Sequence, residues 1–193
     1  MKFAAAVLVA ALAGAAVSIL TRRQYPPPAS GGVVLISGAS SGIGFDAAVR
    51  LAELGFIVVE VDAMGTPMRS RTFHEAYYGD MGDNGLADQV TMIEQLAERH
   101  EWMDIDHVGI WGHSGGGFAS TAGILRYPDF YDVAVSQAGN HDNRNYEDDW
   151  GEKWQGLLTT NPDGTTNYDN QANQLLVENL KGKLLIAHGT MDS

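Results

Sequence analysis

The segment that most constrains the fold is 108–117, VGIWGHSGGG, an apolar run that leads into a serine between glycines. A helix-like run, Phe118 to Tyr127, follows directly. This is the G-x-S-x-G pattern in the order strand, tight turn, helix, and such a turn lifts the serine hydroxyl clear of the sheet. The pattern predicts a nucleophile at Ser114 and an oxyanion-stabilising amide at Gly115. The alternative is a glycine-rich turn that carries a surface serine.

Composition and charge narrow the classes of protein and partner. A chain of 193 residues with 45% apolar residues has room for one domain with a substantial core. The absence of cysteine excludes disulfides, thiolate catalysis and thiolate zinc sites. A net charge of −12 argues against nucleic acid or anionic lipid as a partner. Carboxylates clustered on loops are usually solvated, so no metal site is predicted at Asp80, Asp83, Asp104 or Asp106.

The N-terminus differs in composition from the rest of the chain. Phe3 to Leu20 is an apolar run interrupted only by Gly14 and Ser18, with basic residues on both flanks. A helix of this length spans about 27 Å, just enough for a bilayer core. We predict residues 1–23 to be an apolar helix that anchors the protein in a membrane, with a secretory signal peptide and export as the alternative. Residues 24–32, QYPPPASGG, are predicted to be a linker because prolines cannot continue a helix.

Apolar strands alternate with helical patterns through the remainder of the chain, 33–193. We predict strands at 33–37, 56–62, 108–111, 132–136 and 183–188, and helices at 45–54, 86–100, 118–127 and 170–179. Short, almost wholly apolar strands are typical of sheets covered on both faces. The sequence therefore predicts an α/β fold with a doubly wound, mainly parallel sheet.

From about residue 51 onward, the chain resembles the catalytic domain of the prolyl oligopeptidase family, with the dipeptidyl-peptidase IV branch most similar. The motifs that carry the resemblance are VDAMGTP at 61–67, FHEAYYGDMGDNG at 73–85, WGHSGGG at 111–117, DWGEKW at 149–154 and HGTMD at 188–192. The resemblance implies a partial α/β-hydrolase fold and a serine peptidase that acts on peptide substrates. Short peptides with a small residue or proline before the cleaved bond are the implied substrate class.

The same resemblance implies roles for individual residues. Ser114 corresponds to the nucleophile, and Asp192 to the acid that orients the catalytic histidine. Trp150 and Trp154 fall where the family places an aromatic pair that lines the pocket for a proline-like side chain, and aromatic faces suit such a ring. The alternative for the two tryptophans is ordinary helix packing.

The chain also departs from the family pattern. The catalytic histidine is expected a few tens of residues after Asp192, yet all six histidines precede it (His74, His100, His107, His113, His141 and His188). The family's amino-terminal propeller and the loop that completes its oxyanion hole have no counterpart. Without a general base a serine hydroxyl is a weak nucleophile. We therefore predict a chain that is truncated before its histidine and is weakly active or inactive.

A second resemblance covers 33–56, VVLISGASSGIGFDAAVRLAELGF, which is similar to the opening βα unit of short-chain dehydrogenases/reductases. Gly38, Gly42 and Gly44 match the glycine pattern whose amides approach a pyrophosphate at a helix N-terminus. Asp62, at the end of the next predicted strand, matches the acid that binds a ribose hydroxyl. This resemblance implies NAD(P) as an alternative ligand, whereas the peptidase resemblance implies no cofactor.

The reductase resemblance fails in one respect, because no tyrosine of the chain has a lysine four residues later. Nucleotide binding without turnover therefore remains an alternative, and so does a catalytically dead, membrane-anchored interaction domain. The two resemblances meet within Leu51–Phe56, which predicts a chimeric chain with a reductase-like unit at 33–56 and a peptidase-like part at 57–193. The sequence leaves the oligomeric state open.

Overall fold

The computed structural model describes residues 7–11, 31–36, 42–83 and 85–192. The strands are β1 (Val7–Ala11), β2 (Gly31–Ile36), β3 (Ile57–Asp62), β4 (Met103–His113), β5 (Val133–Gln137) and β6 (Lys183–Ala187). The α-helices are α1 (Gly42–Glu53), α2 (Arg71–His74), α3 (Leu86–Arg99), α4 (Gly115–Arg126) and α5 (Asp148–Gln155). Two 3-10 helices, Asp169–Gln171 and Asn173–Asn179, precede β6.

The strands form one sheet in the order β1-β3-β2-β4-β5-β6, and every neighbouring pair is parallel. After β2 the chain forms β3 on one side of β2, and it then crosses β2 to form β4 on the other side. The strand order therefore reverses between β2 and β4. In open α/β sheets, ligands bind beyond the carboxyl ends of the strands at this kind of reversal. The segment that follows β4 is the predicted serine turn.

Helices cover both faces of the sheet, because successive side chains of a strand point to opposite sides. On one face, Val33 and Leu35 of β2 join a core that includes Ile93 of α3 and Phe118 of α4. On the other face, Ile36 of β2 packs in a smaller cluster with Ala48 and Ala52 of α1. This arrangement confirms the predicted α/β fold with a doubly wound, mainly parallel sheet.

The predicted helix over Phe3–Leu20 is wrong for Val7–Ala11, which form strand β1 beside β3. An apolar run does not separate a helix from a buried strand by periodicity, and β-branched valines at alternate positions suit a strand. The other residues of 1–23, and 24–30 of the predicted linker, lie outside the described residues. Gly31 and Gly32 belong to β2 rather than to the linker. Within the described ranges, no helix has the length and apolar character needed to cross a membrane.

Two further differences concern the C-terminal third of the chain. The predicted helix at 170–179 is two short 3-10 helices, Asp169–Gln171 and Asn173–Asn179. Strand β6, predicted as a buried strand, forms the edge of the sheet, and Leu185 and Ile186 are 60% and 49% exposed. His188, which follows β6, is exposed as well.

Candidate active site

Ser114 lies at a sharp turn between β4 and α4. Its backbone has φ 58° and ψ −121°, a conformation that non-glycine residues rarely adopt and that costs about 1–3 kcal/mol. The turn is held by a hydrogen bond of 2.8 Å from the Ser114 amide to the carbonyl oxygen of Gln137 in β5. The Ser114 side chain is exposed, and its hydroxyl makes no hydrogen bond to any described residue. The hydroxyl is therefore free to meet a molecule from solvent.

The glycines around Ser114 have different physical roles. A Cβ on Gly112 would lie 2.2 Å from the carbonyl oxygen of Gly116, and a Cβ on Gly117 would lie 2.6 Å from that of Gln137. Both positions therefore require glycine for space. A Cβ on Gly115 would meet nothing within 4 Å. Gly115 is the first residue of α4, where backbone amides have no partner inside the helix and are available to an anion.

Asp192 follows the carboxyl end of β6, and Ser114 follows the carboxyl end of β4. Because the strands are parallel, both residues lie at the same end of the sheet. Its carboxylate Oδ2 is 3.4 Å from Nδ1 of His188, and both side chains are partly exposed. Nε2 of His188 lies 3.1 Å from the carbonyl oxygen of Gly139. Asp192 therefore pairs with a histidine that precedes it in the chain, a contact that the sequence did not indicate.

The tryptophans of α5 have different surroundings. Trp154 lines a cavity of about 570 Å³ together with residues of α2 and of the turn that follows it. The other lining residues are Arg71, His74, Glu75, Tyr77, Tyr78 and Lys153. The Trp154 ring lies 5.7 Å from that of Tyr77, and Lys153 Nζ lies 4.8 Å from its centre. Burial raises the pKa of the Tyr77 hydroxyl, which keeps it a neutral donor.

Trp150 does not belong to the residues that line this cavity. Its ring packs edge-on against Tyr146 at 5.5 Å. A helix places residues four apart on one face, but Trp154 contacts Tyr77 whereas Trp150 contacts Tyr146, so the two rings have different neighbours. Sequence reasoning missed the α2 side of the cavity because Arg71–His74 lie in a segment without helical periodicity.

A buried glutamine fixes α5 against the rest of the molecule. Gln155 Oε1 accepts a hydrogen bond of 3.2 Å from the Met81 amide, and its Nε2 donates to the Asn167 carbonyl and to Asn170 Oδ1. The Gly79 amide donates to the Trp154 carbonyl at 2.8 Å. The cavity wall is therefore positioned by polar contacts from two separate segments, 79–81 and 167–170.

The residues of the alternative nucleotide site are only partly described. Gly42 begins α1 and Gly44 is buried within it, whereas Gly38 lies outside the described residues. The carboxylate of Asp62, at the end of β3, forms an ion pair of 2.6 Å with Arg69. This carboxylate already has a cationic partner. The described residues contain no cluster of three or more acidic or histidine side chains arranged to hold a metal ion.

With this geometry in place, comparison with known proteins identifies the family. Residues 44–193 match the model of the prolyl oligopeptidase family. The chain belongs to this family. The match begins at residue 44, inside the segment that resembles a reductase.

Individual relatives are dipeptidyl peptidases. The chain is 34% identical over 104 residues to dipeptidyl peptidase 8 of Homo sapiens, which covers 54% of this chain and 12% of that protein. It is 33% identical over 142 residues to dipeptidyl peptidase 4 of Trichophyton equinum, covering 72% of this chain and 18% of that protein. The chain thus spans less than a fifth of the length of these relatives.

A solved structure shares the fold. A candidate dipeptidyl aminopeptidase IV from Bacteroides ovatus superposes with a TM-score of 0.73 at 28% identity, over 84% of this chain and 24% of that one. Dipeptidyl peptidase 4 of Porphyromonas gingivalis gives a TM-score of 0.72 at 24% identity, over 85% and 24%. Both superpositions cover more than four fifths of this chain, which supports the α/β-hydrolase fold.

Proposed function

We propose that this protein is a serine peptidase of the dipeptidyl-peptidase type, in which Ser114 attacks the carbonyl carbon of a peptide bond. The observation that carries the proposal is the strained backbone of Ser114, which presents a free hydroxyl at the N-terminus of α4. Residues held in sparsely populated conformations cluster at active sites. Family membership supplies the reaction class.

The chemistry assigns a role to each residue of the site. Attack by Ser114 Oγ on the carbonyl carbon forms a tetrahedral oxyanion, and the Gly115 amide donates a hydrogen bond to it. The amine then leaves with a proton, and an acyl-enzyme remains for water to hydrolyse. The family resemblance assigns Asp192 to orient a histidine that takes the proton from Ser114 and passes it to the leaving amine. In this chain, where no described histidine is hydrogen-bonded to Ser114, an added base such as imidazole would take that proton. Trp154 forms the pocket wall for a small or proline residue before the cleaved bond, and Trp150 packs against Tyr146 outside this pocket.

We expect turnover by this chain to be slow. No histidine among the described residues is hydrogen-bonded to Ser114, and Asp192 pairs with His188, whose Nε2 faces the Gly139 carbonyl rather than the serine. An unassisted serine hydroxyl is a poor nucleophile at neutral pH. Added imidazole would serve as an external base and raise the rate.

The test is hydrolysis of a chromogenic alanyl-proline anilide by the purified chain, with and without imidazole. We expect release of the chromophore that increases with imidazole and is lost in Ser114→Ala. Release that is equal in Ser114→Ala contradicts the proposal. So does the absence of imidazole-dependent release from a chain whose circular dichroism shows it to be folded.

We further propose membrane attachment through the apolar segment 3–20, in a state where Val7–Ala11 are released from their pairing with β3. The segment has the length and composition of an anchor with basic flanks. Fractionation of the full chain beside a variant that lacks residues 1–23 tests this. The proposal requires the full chain in the membrane fraction and the shortened chain in the supernatant, and it fails if both remain in the supernatant.

A further inference from the structure

His141 lies between two buried polar side chains behind the serine turn. Its Nε2 is 3.4 Å from Oγ of Ser136, and its Nδ1 is 3.3 Å from Nδ2 of Asn173. Ser136 is fully buried and Asn173 is 2% exposed. Neither partner can therefore exchange its contact with the imidazole for water without moving.

Both partners of His141 also bind the first turn of α4. Ser136 Oγ donates to the carbonyl oxygen of Gly117 at 2.8 Å, and Asn173 Nδ2 donates to that of Phe118 at 3.1 Å. The Phe118 amide in turn donates to the Ser114 carbonyl at 3.0 Å. The imidazole is thus two hydrogen bonds away from the backbone that sets the conformation of Ser114.

The directions of these hydrogen bonds determine where the proton on His141 lies. Ser136 gives its one hydroxyl proton to the Gly117 carbonyl, so it can only accept from the imidazole, and Nε2 must carry a proton. The amide nitrogen of Asn173 can only donate, so Nδ1 must be the bare acceptor. The Phe118 carbonyl fixes the orientation of the Asn173 amide because a carbonyl oxygen can only accept, so the amide nitrogen must face it.

We propose that His141, neutral and protonated on Nε2, is a positioning residue that holds the first turn of α4 and, through it, Ser114 and the Gly115 amide. The inference rests on the proposed function of Ser114. It assigns a role to a histidine that needs no contact with substrate. We call the hydrogen bonds from His141 through Ser136 and Asn173 to α4 the relay. Each bond of the relay has one donor and one acceptor only in this protonation state.

Protonation of His141 would break the relay. A proton on Nδ1 would face the amide hydrogens of Asn173, which places two donors opposite each other. The unpartnered Asn173 Oδ1 is buried, but turning it toward the imidazole would remove the donor from the Phe118 carbonyl. The first turn of α4 therefore loses the hydrogen bond from Asn173 when His141 becomes charged.

The surroundings of His141 favour its neutral form. Burial and the positive charge of nearby His188 lower the pKa of His141 from its usual value. His188 pairs with Asp192, and Asp142, beside His141 in the chain, pairs with Arg144. The first turn of α4 has no titratable side chain, and the 3-10 helix that carries Asn173 has only the exposed Glu178.

The pH dependence follows from this lowered pKa. The unfolded chain binds a proton at His141 below about pH 6.5, whereas the folded chain binds it only at lower pH. The stabilisation of the first turn of α4 by the neutral imidazole is therefore fully present above about pH 6.5. It is lost as the pH falls through the pKa of His141 in the folded chain.

The first test is ¹⁵N NMR of the full chain with labelled histidine. We expect His141 in the Nε2–H form at pH 8, and we expect the amide signals of Gly117 and Phe118 to shift with the titration of His141. Protection of the Phe118 amide from hydrogen exchange should fall by about twofold to tenfold when His141 is protonated, the effect of one lost hydrogen bond. An Nδ1–H form, or amides that do not follow the titration, overturns the inference.

Two variants separate a positioning role from a general effect of histidine charge. In His141→Gln a neutral amide replaces the ring, and Phe118 protection should become independent of pH between about 5 and 8. In the control His107→Gln, an exposed histidine paired with Asp104 is removed and the pH dependence should remain. Protection that loses its pH dependence in both variants, or in neither, contradicts the inference. Should His141→Gln fail to fold, the measurements on the unmodified chain decide.

Labelling with a serine-directed phosphonate separates this inference from the proposed function. If Ser114 takes no label at any pH while the Phe118 amide follows His141, the peptidase proposal fails and the positioning role stands. If Ser114 is labelled while the Gly117 and Phe118 amides ignore the charge on His141, the positioning role fails and the peptidase proposal stands.

Discussion

The amide of Ser114 donates a hydrogen bond of 2.8 Å to the carbonyl oxygen of Gln137. Gln137 ends β5, and the next amide, that of Ala138, donates to the Ala187 carbonyl at the end of β6 at 2.8 Å. These two bonds connect the serine turn to the strand ends that lead to Asp192. The candidate nucleophile after β4 and the candidate acid after β6 are therefore connected through β5, the strand between them in the parallel sheet, although they lie 78 positions apart in the sequence.

Substitution of Gly112 should disrupt the serine turn. In Gly112→Ala the new Cβ would lie 2.2 Å from the Gly116 carbonyl oxygen, so the backbone must move. We expect a loss of about 1–3 kcal/mol in the free energy of unfolding and a loss of phosphonate labelling at Ser114. The matched control is Gly115→Ala, whose Cβ meets nothing within 4 Å and whose amide remains. Urea denaturation and labelling of both variants check this, and equal effects contradict it.

Trp154 should contribute more to peptide binding than Trp150. Trp154 lines the cavity of about 570 Å³, whereas Trp150 packs against Tyr146 outside it. Trp154→Ala removes an aromatic wall, which should weaken the binding of an alanyl-proline dipeptide by roughly tenfold. Trp150→Ala should weaken it less. Saturation-transfer NMR with the dipeptide measures both, and a larger loss in Trp150→Ala would place the pocket elsewhere.

Gln155 should stabilise the fold through its buried amide. Gln155→Leu leaves the Met81 amide and the Asn167 carbonyl without their partner. We expect destabilisation by about 1–3 kcal/mol. The control Gln95→Leu makes the same change at an exposed position of α3 and should have little effect. Urea midpoints that shift equally in the two variants would show that the Gln155 network does not stabilise the fold.

Stability at alkaline pH should depend on Tyr127. Its hydroxyl donates to Asp83 Oδ2 at 2.8 Å, and burial together with this carboxylate raises the pKa of Tyr127 to about 12. Since the unfolded value is about 10, the stabilisation is present below pH 10 and is lost as the pH rises through 12. Tyr127→Phe should make the decline in unfolding free energy shallower over this range.

The control for Tyr127 is Tyr146→Phe, which removes a hydroxyl that has no hydrogen-bond partner within the described residues. The slope of unfolding free energy against pH should match that of the unmodified chain. If Tyr127→Phe also leaves the slope unchanged, the Tyr127 hydroxyl does not supply the alkaline pH dependence.

The sheet was predictable because its signals are local. Buried strands such as β3 and β5 are short apolar runs, and the glycines around Ser114 encode a turn that only glycine permits, as the 2.2 Å approach at Gly112 shows. These patterns require no knowledge of distant residues. The strand–turn–helix context of Ser114 was therefore readable before the fold was known.

Features that depend on tertiary contacts were not predictable. Helix α2 has only four residues, and its place in the cavity wall depends on the contact of Tyr77 with Trp154, far along the chain. The relay from His141 joins β5, α4 and a 3-10 helix, and its residues follow no sequence spacing. For Val7–Ala11 the sequence indicated the wrong element, because high hydropathy suggested a helix where the chain forms a strand paired with β3.

The most direct test of the central claim is mass spectrometry of the purified chain after reaction with a fluorophosphonate. We expect a single adduct that maps to Ser114, forms faster with added imidazole and is absent from Ser114→Ala. An adduct on a different serine, or none on the folded chain in the presence of imidazole, would contradict the assignment of Ser114 as the nucleophile.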